Sequence, residues 1–584
     1  MPRIAIIDRE VCIKEKCGYI CQKVCPGVQM GDETVVVDKD GYPVISEILC
    51  TGCGICPKKC PVNCITIINL AEETGKIYHQ YGVNAFRLYG TPLPQNGVTG
   101  LIGKNGIGKS TALHMLSGTI SPNMGDWQNP PGLKELSQEM PKIDFEYFRK
   151  LDGKQVKVAL KPQNVDKIPS VFRGLVKELL QKTDERGALS QAVELFGLEH
   201  VLDKRISQIS GGELQRVAIA AAYCKDADLY YFDEPASYLD IEQRLKVARA
   251  LKELGTHKRV MVVEHDLALF DYMSDYVYVF FGQENAYGIV SGLKNTRVGI
   301  NQYLQGFLKE ENMRFREYEI KFQKNASTAR KGKVKFSYPE FSRKFREFEF
   351  NSAAGEIREG EVIGIAGKNA IGKSLFVKML AGVEESDNGN NMEHNMRVSY
   401  KPQYVSAQEG VSVAQLFSAQ KLNGQFFEEA ARKLGINSLM DKELQTLSGG
   451  ELQRVAIVNA LSKDADLYLL DEPSAFLDIE QRLNFASLIQ RLIENSGKAC
   501  FVVDHDLVLV DAVSSRIMVF EGEASVKGFA NAPSEKREGL NKFLSGLDIT
   551  LRRDPDTARP RINKPQSVKD REQKEAGEYY YYDS

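Results

Sequence analysis

The sequence predicts an α/β chain: two similar open-sheet domains in tandem, with a small α+β domain ahead of them. Three observations predict it. A glycine-rich loop, Gly103-Lys-Asn-Gly-Ile-Gly-Lys-Ser-Thr111, recurs as Gly367-Lys-Asn-Ala-Ile-Gly-Lys-Ser374. Each copy is followed by the same short motifs in the same order. Nine of the eleven cysteines lie between Cys12 and Cys64.

The first loop fits G-x-x-x-x-G-K-[S/T], with Gly103, Gly108, Lys109 and Ser110 in the fixed places. Gly97-Val-Thr-Gly-Leu-Ile102 before it predicts a buried strand, and Thr111-Ala-Leu-His-Met-Leu116 after it predicts a helix. Strand, glycine loop and helix form the context a phosphate-binding loop needs. Glycines turn successive N–H groups toward a nucleotide's phosphates, and the helix N-terminus adds positive potential. Lys109 is placed to reach the β and γ phosphates, and Ser110 to hold Mg²⁺.

Downstream of the first loop come Lys161-Pro-Gln163 and Ile209-Ser-Gly-Gly-Glu-Leu-Gln-Arg216. A glutamine at 163 suits sensing of the γ-phosphate and Mg²⁺. Ser210-Gly211-Gly212-Glu213 opens a helix and offers a second backbone phosphate site. Leu229-Tyr-Tyr-Phe-Asp233-Glu234 reads as a buried strand ending in two acids. Asp233 suits Mg²⁺, and Glu234 suits polarising the attacking water. Tyr238-Leu-Asp240 follows, and Met261-Val-Val-Glu-His265 ends another apolar strand with a histidine. The second copy repeats the order with Gln403, Ser448-Gly449-Gly450-Glu451, Asp471-Glu472, Asp478 and His505.

At 584 residues the chain holds three or more domains. Its 76 Lys and Arg against 78 Asp and Glu predict no polyanion partner from global charge. No stretch approaches 18 uninterrupted apolar residues, and the N-terminal apolar run is too short for a signal peptide. A soluble intracellular protein is expected, in which clustered cysteines point to metal rather than disulfides.

Cys50-x₂-Cys53-x₂-Cys56-x₃-Cys60-Pro61 resembles the run of bacterial ferredoxins, and Cys12-x₄-Cys17-x₃-Cys21-x₃-Cys25-Pro26 forms a second block. Two blocks ending in Cys-Pro imply two [4Fe–4S] clusters. In two-cluster ferredoxins the fourth cysteine of each run ligates the other cluster. That resemblance assigns Cys12, Cys17, Cys21 and Cys60 to one cluster, and Cys25, Cys50, Cys53 and Cys56 to the other. Cys64 is left over, as a small buried apolar residue. Thr34–Asp38 and Tyr42–Ile45 are expected as strands between the blocks. No other redox motif follows, which favours a docking or mechanical role for this domain.

The paired motif series resembles the ATP-binding-cassette (ABC) ATPases over roughly residues 76–540. The resemblance implies two P-loop nucleotide-binding domains paired head to tail as an internal pseudo-dimer in a monomer. ATP, with Mg²⁺, would join Gly103–Thr111 to Ser448–Gly450, and Gly367–Ser374 to Ser210–Gly212. The nucleotide contacts carried over are Gly103, Asn105, Gly106, Gly108, Lys109, Ser110, Thr111, Gln163, Ser210–Glu213, Asp233 and Asp240. In the other copy they are Gly367, Asn369, Gly372–Leu375, Gln403, Ser448–Glu451, Asp471 and Asp478. Mg²⁺ falls to Ser110, Gln163, Asp233, Ser374, Gln403 and Asp471; Glu234, Glu472, His265 and His505 are the catalytic set.

The copies differ. Fifty-four residues separate Lys109 from Gln163 but 30 separate Lys373 from Gln403, so the first copy carries about 24 extra residues near Ser121–Gln155. They read as two short helices after Pro130-Pro-Gly, a contact made by one half only. Leu375 stands where the first copy has Thr111, and Ala370 where it has Gly106. Residues 297–335 carry ten basic and four acidic residues. Gly299–Leu308 is echoed by Gly539–Leu547, which suggests two hinges bracing the interface.

A paired-cluster domain ahead of two cassettes, with one insertion and twin basic hinges, makes the whole chain similar to the ABC-E class. This is the RNase L inhibitor family of ribosome-recycling ATPases. The domains implied are 1–75 ferredoxin-like, 76–295 first cassette, 296–320 hinge, 321–537 second cassette, and 538–584 second hinge and tail. The resemblance further implies subunit splitting with a class-I release factor or pelota. Retention on the small subunit and its rRNA, and contact with initiation factors, are also implied. It implies a cytoplasmic, ribosome-associated location, with a nuclear pool also open, and no membrane. Tyr81 and Phe86 are implied to stack on adenine in the first site, with Tyr338 as candidate in the second. The competing reading is an iron–sulfur ABC ATPase in nucleic-acid repair or redox sensing.

Overall fold

The computed structural model describes residues 3–69, 75–322, 332–345, 347–390, 396–405 and 407–581. Arg330 and Lys331 of the basic run lie outside them, as does the end of the tyrosine-rich tail.

Residues 3–69 form an α+β unit. Arg3–Ile7 pairs antiparallel with Ile65–Asn69, and Val35–Val37 with Pro43–Ile45. Short helices, Ile20–Lys23, Pro26–Gln29 and Ile55–Lys59, carry or flank the cysteines. Burial alternates weakly here, and thiols supply much of the small core beside Ala5, Ile7, Val35 and Ile45.

Each cassette contains a nine-stranded sheet. In the first, Gly97–Ile102 lies between Arg259–Val263 and Tyr276–Gln283, parallel to both. Leu229–Asp233 and Val158–Lys161 extend the parallel part. Helices cover both faces, so these strands are apolar on both sides: all five residues of Leu229–Asp233 are buried. The second cassette repeats this order with Val362–Ala366 at its centre, flanked by Ala499–Val503 and Arg516–Glu523. Parallel register brings the loop after each central strand and the acids ending the next strand but one to the same end of the sheet.

The insertion folds as Leu133–Glu139 and Lys142–Asp152. Buried Phe148 and Leu136 seat it on the first cassette's core. The Tyr147 hydroxyl lies 2.7 Å from that of Tyr231, and Tyr78 donates to Asp144.

One apolar core runs through both halves: Leu267 and Ala268 of the first belong with Ile479, Leu507 and Val508 of the second. The echoed stretches are helices, Thr296–Gln305 and Lys536–Gly546. Beyond the second, a two-stranded arm, Leu551–Arg553 with Pro560–Ile562, returns to the first cassette. Its Arg559 is 0% exposed and pairs with Asp271 at 3.2 Å, and Arg561 pairs with the same carboxylate at 2.6 Å. The tyrosine-rich tail, unreadable in the sequence, is a plug. Tyr580 and Tyr581 are buried, and both hydroxyls donate to Asp511.

Candidate active site

Both glycine loops open helices, Lys109–Leu116 and Lys373–Leu380, with Gly108 and Gly372 at the N-caps. Their φ angles of +92° and +95° favour glycine, and a Cβ at either would strike the ring of Phe86 or Phe350. Lys109 folds back onto the loop, donating to the carbonyls of Gly103 (2.8 Å) and Lys104. Lys373 does the same to Gly367 (2.6 Å) and Lys368 (2.8 Å). A buried cation held by weak acceptors is poised to exchange them for phosphate oxygens.

The two acids after each Leu-rich strand occupy different environments. Asp233 has one carboxylate oxygen without a hydrogen-bond partner among the described residues, and Asp471 is 0% exposed. Burial drives the Asp471 carboxyl up to about 6, with the Ser374 hydroxyl and Lys401 pulling the other way. Burial likewise raises Asp233, opposed by Ser110. A buried, under-satisfied carboxylate beside a serine hydroxyl is the donor set a divalent cation accepts.

Burial also pushes Glu234 and Glu472 upward, but the histidines His265 and His505 pull the other way. With Lys109 and Lys373 they hold both carboxyls down at about 2. His265 Nε2 lies 3.6 Å from Glu234, and His505 Nε2 lies 3.5 Å from Glu472. Gln163 donates to Glu234 at 2.6 Å and Gln403 to Glu472 at 2.8 Å. Both glutamates sit at positive φ, +46° and +45°, a strain costing about 1–3 kcal/mol each that tertiary contacts must hold. These are Glu234 N–H to Val263 O and Glu472 N–H to Val503 O.

Ser210 and Ser448 cap the helices Gly211–Tyr223 and Gly449–Leu461. Glu213 and Glu451 complete capping boxes, accepting from Ser210 N–H at 2.7 Å and Ser448 N–H at 2.9 Å. Their carboxylates are thus engaged in local structure. Gln215 and Gln453 on the same helices donate to the carbonyls of Glu234 and Glu472 at 2.7 Å. These two received no role from the sequence, although the repeated Leu-Gln-Arg carried the signal.

The halves meet reciprocally. Asn105 N–H donates to Asp478 at 3.1 Å, and Asn369 N–H donates to Asp240 at 2.8 Å. Lys104 pairs with Glu480 (3.2 Å) and Lys368 with Glu242 (2.7 Å). The rings of Tyr238 and Phe476 meet edge to face at 5.9 Å across the seam. Each glycine loop therefore touches the Asp-bearing loop of the opposite half, a head-to-tail arrangement. One difference stands out: Glu480 is also held by the segment following Thr296–Gln305, through Arg316 (3.2 Å) and Tyr318.

Tyr81 is 53% exposed and shares a hydrogen bond with Thr111 at 3.2 Å; half-buried Phe86 packs on Gly108. Tyr338 does not match them. It is 2% exposed, packed on Phe341, Phe376 and Phe501, and has no open ring face for a base. Strand register instead places Phe345, 40% exposed, where the first half has Tyr81. A buried core tyrosine and an exposed stacking one look alike in a sequence without the hairpin's register.

The loop between Tyr81 and Phe86 has a second duty. Asn84, at φ +51°, donates to the carbonyls of Ala5 (2.9 Å) and Ile45 (3.0 Å). Its side-chain oxygen accepts from Ile45 N–H at 2.8 Å, and Arg87 pairs with Glu47 at 2.8 Å. These contacts dock the cysteine-rich unit on the first cassette.

In that unit Cys12, Cys17, Cys21 and Cys60 line one pocket, and Cys64 joins them. Cys56 faces Cys50, Cys53 and Cys25. Burial, reinforced by neighbouring sulfurs, pushes the Cys56 thiol up to about 12. Two groups of thiols thus gather in one small domain, the softer sulfur donors that iron–sulfur clusters take.

Fold and site together define a twin-cassette ABC ATPase, and the ABC transporter family model matches residues 90–237 and 350–475. The chain is 49% identical to an uncharacterized ABC transporter ATP-binding protein of Methanocaldococcus jannaschii, covering 100% of this chain and 98% of that one. It is 41% identical to translation initiation factor RLI1 of Saccharomyces cerevisiae, covering 100% and 98%. Among solved structures, ABCE1 in a model of ribosome-bound archaeal Pelota and ABCE1 superposes with TM-score 0.92 at 48% identity over 99% of each chain. The archaeal recycling factor aABCE1 complexed with ribosomal stalk protein aP1 gives 0.82 at 49%, over 88% of this chain and 100% of that one. The chain belongs to the E family of ABC proteins, that of the RNase L inhibitor.

Proposed function

We propose that this chain is an ATP-driven ribosome recycling factor. ATP bound at the two composite sites closes the cassettes, and the cysteine-rich domain is displaced into the ribosome to separate its subunits. The observation that carries this is the Asn84 dock: the loop flanked by Tyr81 and Phe86 also grips the cysteine-rich unit. A change at the first ATP site thereby reaches that unit through six residues. The partners proposed are the small subunit with its rRNA, a pelota-type protein or class-I release factor, and initiation factors, in the cytoplasm. No helix among the described residues is long and apolar enough to cross a membrane. Ribosomes incubated with the protein, ATP and a pelota-type factor should resolve into subunits on a sucrose gradient; intact particles overturn the reading.

Tyr81 and Phe86 stack on adenine in the first site and Phe345 in the second. Lys109, Lys373 and the loop amides hold phosphates, and Glu234 and Glu472 orient water. Tyr81→Ala and Phe345→Ala should each raise the ATP KM roughly tenfold, a loss of about 1.4 kcal/mol, with kcat little changed. Mg²⁺ is held by Ser110, Asp233 and Gln163, and by Ser374, Asp471 and Gln403. Because the Asp471 carboxyl lies at about 6, a proton competes with the cation below that pH. Mg²⁺ affinity at this site should fall about tenfold per pH unit below pH 6 and level off above it, as read by Mg²⁺ titration of nucleotide binding.

Two [4Fe–4S] clusters occupy the cysteine-rich unit, on Cys12, Cys17, Cys21 and Cys60, and on Cys25, Cys50, Cys53 and Cys56. Bound iron would replace the thiol protons and brace a domain whose own core is small. Cys56→Ser should abolish subunit splitting while ATP hydrolysis persists; parallel loss of both would refute a role confined to this domain.

A further inference from the structure

Nine cysteines occupy the first domain, and two cubane clusters take eight. The ninth, Cys64, is buried as expected, but among other sulfurs. It is 5% exposed, it lines the same pocket as Cys12, Cys17, Cys21 and Cys60, and its sulfur lies 3.5 Å from that of Cys60. It also faces Cys12. The backbone fixes this position. Asp8 N–H donates to Cys64 O at 2.9 Å, while Asp8 O accepts from Cys12 N–H at 3.0 Å, so one residue ties both cysteines. Cys60 and Cys64 lie on the short loop between Ile55–Lys59 and Ile65–Asn69, with Asn63 at φ +51° turning the second sulfur back toward the first.

We infer that Cys64 is a standby ligand for the first iron–sulfur cluster, able to take the iron coordinated by Cys60. The inference rests on the two-cluster reading above. Two thiols this close can serve one iron by a small side-chain rotation. The exchange needs no oxidant: the bond from iron to the Cys60 sulfur breaks, one to the Cys64 sulfur forms, and the Cys64 proton passes to the released Cys60 thiolate. A fifth thiol inside the pocket recaptures iron that would otherwise escape to solvent when one ligand lets go.

The test counts iron and acid-labile sulfide in full-length protein purified without oxygen. Wild type, Cys60→Ala and Cys64→Ala should each hold about eight irons, as two four-iron clusters require. The Cys60→Ala/Cys64→Ala double variant should hold about four. A Cys60→Ala protein with about four irons overturns the inference, and wild type without about eight overturns the two-cluster reading instead. Cys60→Val, which keeps the side-chain volume and offers no iron ligand, is the companion variant if alanine impairs folding. A second readout is bleaching near 400 nm under an iron chelator: Cys64→Ala should bleach several-fold faster than wild type, and an equal rate counts against the standby role.

Discussion

Glu234→Gln and Glu472→Gln are each expected to bind ATP and close, while the altered site loses turnover by about 10²–10⁴-fold. The geometry explains why a neutral isostere fails. Each carboxylate is ionised well below neutral pH, sits within 3.6 Å of a histidine, and accepts from a glutamine amide. Glutamine cannot take a proton from water, and it places an amide against the Gln163 or Gln403 amide. The two variants should also differ from each other. Leu375 removes the hydroxyl that Thr111 offers Tyr81. Ala370 holds a φ of +56° where Gly106 holds +69° without a Cβ. Glu480, beside the first glycine loop, is clamped by Arg316 and Tyr318. Single-turnover rates with each variant would measure the difference, and equal rates would remove the claim of unequal sites.

The second large effect is on assembly. Asp271→Ala should destabilise the protein by about 3–5 kcal/mol, because it leaves Arg559 and Arg561 facing each other without their shared carboxylate. Arg559 is fully buried, so its charge cannot turn to water. Thermal unfolding should shift downward, and limited proteolysis should cut the arm after Leu547 sooner. Asp271→Asn, which keeps the shape, should lose most of the same stability; if it does not, packing rather than charge holds the arm.

Much of this was legible in the sequence because phosphate chemistry demands fixed residue types at fixed spacing. The glycine loops, paired acids, histidines and caps all fall on the predicted strands and helices, and the 24-residue insertion is two helices as read. Register was not legible. Tyr338 and Phe345 are seven residues apart, and only the hairpin Ser342–Phe345 with Phe348–Ser352 shows which ring lies open. Long-range charge was equally hidden. Nothing local in Arg559-Pro-Arg561 names Asp271 as its partner, 288 residues away for Arg559. The tail was uninterpretable for the same reason: nothing near Tyr580 and Tyr581 names Asp511 as their acceptor. Spacing leaves Cys64 as a small buried residue, which it is; that its sulfur shares a pocket with four others is visible only in the fold.

Asn84 leaves a thermodynamic signature that can be measured without a ribosome. Its side chain and backbone bind the cysteine-rich unit, and its neighbours three residues before and two after are the pair proposed to stack on adenine. Free energy linked in this way is symmetric. If ATP loosens the dock by some factor, prying the dock open must change ATP affinity at the first site by the same factor and leave the second untouched. Asn84→Ala should therefore act on a nucleotide it never contacts. The cysteine-rich domain is then an effector of the first site as much as its lever.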